Sequence, residues 1–159
     1  MNNNDILKNL RFTLNLRDEH TVELLKSAGI EVPLEEVKAW FLSDEDEKYK
    51  SLYDIKLSAF LNGVIIMKRG KQDDKPVINE KKLNNNIILR KLKIAFNLKD
   101  TDMLEILKVA DFEISKHELS AFFRKPGQGQ YRTCKDQILR RFLFGLQKWL
   151  SFNRPAPKK

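Results

Sequence analysis

One cysteine, two histidines and six glycines in 159 residues leave little catalytic or ligand-binding vocabulary. A lone cysteine excludes an internal disulfide and fits a reducing compartment. His20 and His117 have no partners at ligand spacing, so no metal site is expected. The glycines form neither a phosphate loop nor a dinucleotide fingerprint, and no nucleophile–base signature is present. No apolar run approaches the roughly 20 residues that span a bilayer. The opening Met1-Asn2-Asn3-Asn4-Asp5 lacks the basic flank and apolar core of a signal peptide. These scarcities point to a cytoplasmic, non-enzymatic chain with no cofactor, no membrane role and no evident small-molecule substrate.

What the sequence does have is a copy of itself. Asn2-Asn3-Asn4 returns as Asn84-Asn85-Asn86, a shift of 82, and the register holds without a gap to about Gly70. Identical pairs include Leu7/Leu89, Asn15/Asn97, Ala28/Ala110, Phe41/Phe123, Tyr49/Tyr131, Asp54/Asp136, Phe60/Phe142 and Gly63/Gly145. Self-similarity at a fixed period means one supersecondary unit used twice. A unit of that size buries only about 60% of the surface its unfolded chain exposes. The copies are therefore expected to share a core. The boundaries read as repeat one over 1–69, a polar linker over 70–83, repeat two over 84–150 and a disordered basic tail over 151–159.

Within each copy the apolar spacing is helical. The expectation is an all-α chain of about eight helices, arranged as two four-helix repeats on a shared interface with pseudo-twofold symmetry. The first helix of each copy is expected to be capped by Asn4 or Asn86, and the second to open at Asp18 or Asp100. The third starts near Pro33 or at Ser115, where Ser115 and Glu118 form a capping-box pattern. The fourth is longest, over Leu52–Lys68 and Cys134–Leu150. Gly63 and Gly145 inside it each cost ~1 kcal/mol of helix propensity. They are expected to admit a neighbouring helix at close range. Cys134 aligns with Leu52 and reads as a small core residue. On the back of the first long helix Ile55, Ile65 and Ile66 make it apolar nearly all round, so it is expected to be buried. That back is the candidate seam between the repeats, with a homodimer seam as second choice.

Charge separates the copies. Residues 1–70 carry 10 Lys and Arg against 12 Asp and Glu, whereas residues 84–159 carry 16 against 7. Ser43-Asp44-Glu45-Asp46-Glu47 is acidic, while its counterpart Lys125-Pro126-Gly127-Gln128-Gly129 is basic. The basic copy points to an anionic polymer, and nucleic acid is the favoured partner. Candidate contacts are Lys116 and Arg124 around the third helix, and Lys125, Arg132 and Lys135 in the following loop. Arg140, Arg141 and Lys148 on the last helix complete the basic set. Phe144 would stack a base if exposed. Helices two and three also have a weak helix-turn-helix look. The alternative is a protein-interaction or self-assembly module, in which the acidic loop of one copy meets the basic loop of another.

Several stretches resemble the YehS-like family of uncharacterised bacterial proteins. They include Asn3-Asn4-Asp5-Ile6-Leu7, Ser58-Ala59-Phe60-Leu61-Asn62-Gly63 and Lys68-Arg69-Gly70-Lys71. The second copy adds Lys93-Ile94-Ala95-Phe96, Tyr131-Arg132, Asp136-Gln137 and Leu139-Arg140. The resemblance runs from residue 2 to about 150. It implies a bacterial cytoplasmic protein of two tandem copies and transfers no catalytic residue or ligand.

Overall fold

In a computed structural model that describes residues 1–71 and 75–152, helix is the only regular secondary structure among those residues. The order is α1 (Asn3–Leu14), α2 (Asp18–Ser27), α3 (Leu34–Trp40), α4 (Asp54–Arg69), α5 (Asn85–Ala95), α6 (Asp100–Val109), α7 (Lys116–Ala121) and α8 (Asp136–Phe152). The expected all-α class and eight helices are both present. Linker residues 72–74 and tail residues 153–159 lie outside the described residues, and with them the expectation of a disordered tail beyond Phe152.

Two units form, Met1–Asn97 and Leu98–Lys159. They do not coincide with the two sequence copies, because α5, the first helix of the second copy, packs on α4 in the first unit. This explains why α4 is buried over the unbroken run Leu57–Val64. It has α2 on one flank and α5 on another. Helices α1 and α3 complete the first unit around Leu7, Leu10, Leu25, Val37 and Trp40. In the second unit α6 packs on α8 and on α7, around Met103, Ile106, Leu119, Leu139, Phe142 and Leu146.

Local structure repeats at the shift of 82. Asn15 and Asn97 both end a helix in the left-handed region, at φ 52° and 51°. The loop after α3 has bonds Asp46 N–H to Ser43 O (2.9 Å), Tyr49 N–H to Asp46 O (3.0 Å) and Lys50 N–H to Ala39 O (3.3 Å). The loop after α7 repeats them, from Gln128 to Lys125, Tyr131 to Gln128 and Arg132 to Ala121, at 3.1, 3.0 and 3.1 Å. One acidic loop and one basic loop thus share a single backbone design.

The expected close approach at the helix glycines is present in both units. A Cβ on Gly63 would lie 2.2 Å from Leu24 O, and one on Gly145 would lie 2.0 Å from Ile106 O. Leu24 and Ile106 are themselves a pair at the same shift. The glycine therefore sets the α2–α4 spacing in one unit and the α6–α8 spacing in the other.

Two pairs of expected helix starts need correction. Asn4 and Asn86 are not caps: Asn2 and Asn84 cap α1 and α5, accepting from Asp5 N–H (2.9 Å) and Ile87 N–H (2.8 Å). Asn4 is buried instead. Its Nδ2 donates to Trp40 O (3.0 Å) and Lys50 O (2.9 Å), and its Oδ1 accepts from Leu52 N–H (2.9 Å). An extended segment around Leu52 has no helical partners for its backbone, and the amide side chain supplies them. Helices α2 and α6 open at Asp18 and Asp100 as expected, with Arg17 and Lys99 in the capping positions before them. The reaching-back acceptors are His20 Nδ1 (3.0 Å from Arg17 N) and Asp102 Oδ2 (2.8 Å from Lys99 N). The long helices begin at Asp54 and Asp136, two residues later than expected. The capping box at Ser115 and Glu118 forms as expected, with bonds of 3.0 and 3.2 Å.

Candidate basic face of the second unit

Arg140, Arg141, Phe144 and Lys148 lie on α8. At 3.6 residues per turn they share an arc of about 100°. Leu139, Phe142, Leu143 and Leu146 take the opposite side into the core. The arc is held outward because α6 packs closely along Gly145. All nine expected contact residues are exposed: these four, Lys116, Arg124, Lys125, Arg132 and Lys135. Phe144 is 46% exposed, and the Lys148 ammonium sits 4.5 Å from its ring centroid. Arg141 donates from Nη1 to Ala110 O (3.1 Å), at the C-terminal cap of α6. A cation there complements the negative end of the helix dipole. Arg141 is therefore partly structural. The helix α7 that carries Lys116 has six residues, about 9 Å of rise, which is short for a groove-reading helix.

The first unit uses the matching surface differently. Ser58, Asn62 and Ile66 of α4 align with Arg140, Phe144 and Lys148; Ser58 and Asn62 are buried and Ile66 is half-buried. Ser58 and Glu80 are joined twice, by a short Ser58 Oγ–H to Glu80 Oε1 bond and by Glu80 N–H to Ser58 Oγ (2.9 Å). Lys91 of α5 reaches Asn62 Oδ1 (2.7 Å) and Glu80 Oε1 (3.0 Å). Asn62 also donates to Ile78 O (3.0 Å). Burial alone would raise the Glu80 pKa. The bonds from Ser58, Lys91 and its own backbone, with the Lys91 charge, outweigh it and leave Glu80 lowered. Ile55, Ile65 and Ile66 are half-buried, and Ile65 and Ile66 line a cleft with Ile78 and α5 residue Ile94. The Ser58–Glu80–Lys91 cluster escaped the sequence reading, because its members come from three segments with no common spacing.

Cys134 is buried, and its thiol pKa is pushed up to about 12 by burial first and by Asp136 second. A thiol so far from ionisation is a poor nucleophile. Among the described residues no group of His, Cys, Asp and Glu is arranged to hold a metal ion, and no helix is long and apolar enough to cross a membrane.

Two comparisons bear on this arrangement. The model for a family described as a protein of unknown function, DUF1456, matches residues 3–70 and 85–149. Its two matched segments are the two sequence copies. A protein named "Uncharacterized protein YehS" from Escherichia coli (strain K12) is 41% identical over 147 residues, covering 92% of this chain and 94% of that protein. No solved structure matches.

Proposed function

The chain belongs to the DUF1456 family of proteins of unknown function, and we propose that it is a non-enzymatic protein that binds nucleic acid through the basic face of its second unit. The observation that carries this reading is the α8 arc. It presents three cations and one exposed aromatic ring together, while the same positions in the first unit are covered. Arg140, Lys148 and the loop cations Lys125 and Arg132 would meet phosphates, and Phe144 would stack a base. Such contacts give affinity without sequence preference.

The test is fluorescence anisotropy with labelled single-stranded RNA and duplex DNA between 50 and 200 mM salt. With about four phosphate contacts, RNA affinity should fall roughly 50-fold over that range. The double variant R140E/K148E should abolish binding. It spares Arg141, whose bond to Ala110 O would confound the result. No binding at 50 mM salt would overturn the reading.

A further inference from the structure

The internal duplication holds a precedent for a protein occupant of the α8 arc. In the first unit the equivalent arc of α4 takes α5, a first-position helix of the repeat, lying alongside in parallel. Asp54 at the start of α4 accepts from Leu83 N–H (2.8 Å), just before α5. Asn62 meets Lys91 midway (2.7 Å), and Lys68 lies over the Phe96 ring (4.8 Å) near the end. The α5 face that meets α4 includes Lys91 and Ile94, with Ile87 one turn earlier.

The chain has a second helix of the α5 type, α1, and its matching face is unfilled. Ile87, Lys91 and Ile94 align with Asp5, Asn9 and Phe12. Asp5 is exposed, and Phe12 is 71% exposed, unusual for a phenylalanine on a core-packing helix. We propose that the outer arc of α8 is a docking site for α1 of a second copy of this chain, joined head to tail as α5 is joined to α4. The proposal goes beyond the nucleic-acid reading and stands without it.

The register follows from the internal pair. Asn62 against Lys91 becomes Phe144 against Asn9. The cleft of Ile65, Ile66 and Ile94 becomes Gln147 and Lys148 against Phe12. One turn earlier, Arg140 faces Asp5. An acidic residue thus meets a basic one, and a lysine meets an aromatic face. The mildly acidic first copy and strongly basic second copy are complementary on the same terms. Two unlike patches make this a heterologous contact, so neither face pairs with itself. A single helix docked on a single helix is a small interface, and association should be weak.

The experiment is sedimentation velocity on nuclease-treated protein from about 10 μM to 1 mM, with F12K and F144E. F12K sets a cation against Lys148, and F144E sets a carboxylate beside Asp5. Both side chains are exposed, so neither variant should impair folding, and thermal melts check that. The wild type should associate with rising concentration. Each variant alone should need at least tenfold more protein to do so. The decisive arm mixes the two. F12K retains an intact α8 arc and F144E retains an intact α1 face, so their equimolar mixture should form a one-to-one dimer. A wild type that stays monomeric to 1 mM overturns the proposal. So does F12K or F144E associating alone like the wild type, which would mark a self-pairing face, and so does a mixture that stays monomeric.

Discussion

Replacing Gly145 or Gly63 by alanine separates local helix preference from packing, because the two predict opposite signs. In an exposed helix the change would stabilise by ~1 kcal/mol, since alanine loses less backbone freedom on folding. Here the new methyl would stand 2.0 Å from Ile106 O, or 2.2 Å from Leu24 O, where ordinary contact begins at 3.4 Å. The obstructing atom is a helix carbonyl, so no side-chain rotation relieves it. The helices must separate by more than an ångström. A gap of 0.5–1 Å already forfeits about a quarter to a half of each dispersion contact along the seam. Overpacking of this kind costs about 1–3 kcal/mol and occasionally more. Contact that close with backbone puts the cost at the top of that range, so with the propensity gain subtracted each variant should lose about 2 kcal/mol. If the chain melts as one cooperative unit, that lowers Tm by roughly 4–8 °C. Differential scanning calorimetry reads the shift. Hydrogen exchange should localise G145A to α6 and α8, and G63A to α2 and α4. A rise in Tm for either variant would refute the close-approach argument.

Four further outcomes follow from the described contacts. N4A strips partners from Trp40 O, Lys50 O and Leu52 N–H, at about 1–3 kcal/mol for each group left buried, so urea denaturation should show a loss of about 3 kcal/mol or more. Glu80 has a lowered folded pKa, so its contribution is present above the unfolded carboxylate pKa and disappears as pH falls through the folded value. E80Q should therefore be less stable than wild type at pH 7, with the difference closing in acid below about pH 4. Cys134 should react with a thiol reagent at pH 8 only after denaturation, and comparable native and denatured rates would contradict its burial. A fragment of residues 1–97 should melt cooperatively by circular dichroism, whereas residues 1–70, lacking the α5 cover on α4, should not.

The sequence reading found the helices because their apolar periodicity survives in both copies, and comparing the copies shows which positions are structural. It also found the close-approach glycines, where a cost in propensity appears twice at one register. It placed the caps wrongly because three consecutive asparagines satisfy the same local rule. Only the long-range bonds from Asn4 to Trp40 O and Lys50 O decide among them. It singled out Phe144 and its cationic neighbours from the change in charge between copies, and these residues are exposed. It missed their counterpart in the first unit, since Ser58, Glu80 and Lys91 are far apart in sequence and meet only in the folded chain.

The packing of α5 on α4 carries a consequence for the origin of the chain. A single-copy ancestor of about 82 residues would have had one fourth helix with a bare flank and one first helix with a bare face. To cover both it would have needed a neighbour, borrowing a helix from another molecule. Fusing two copies places one borrowed helix on the same polypeptide, at an effective concentration in the millimolar range or above. That removes the dependence on expression level for one junction and leaves one pair of surfaces, α1 and α8, still carrying the ancestral need.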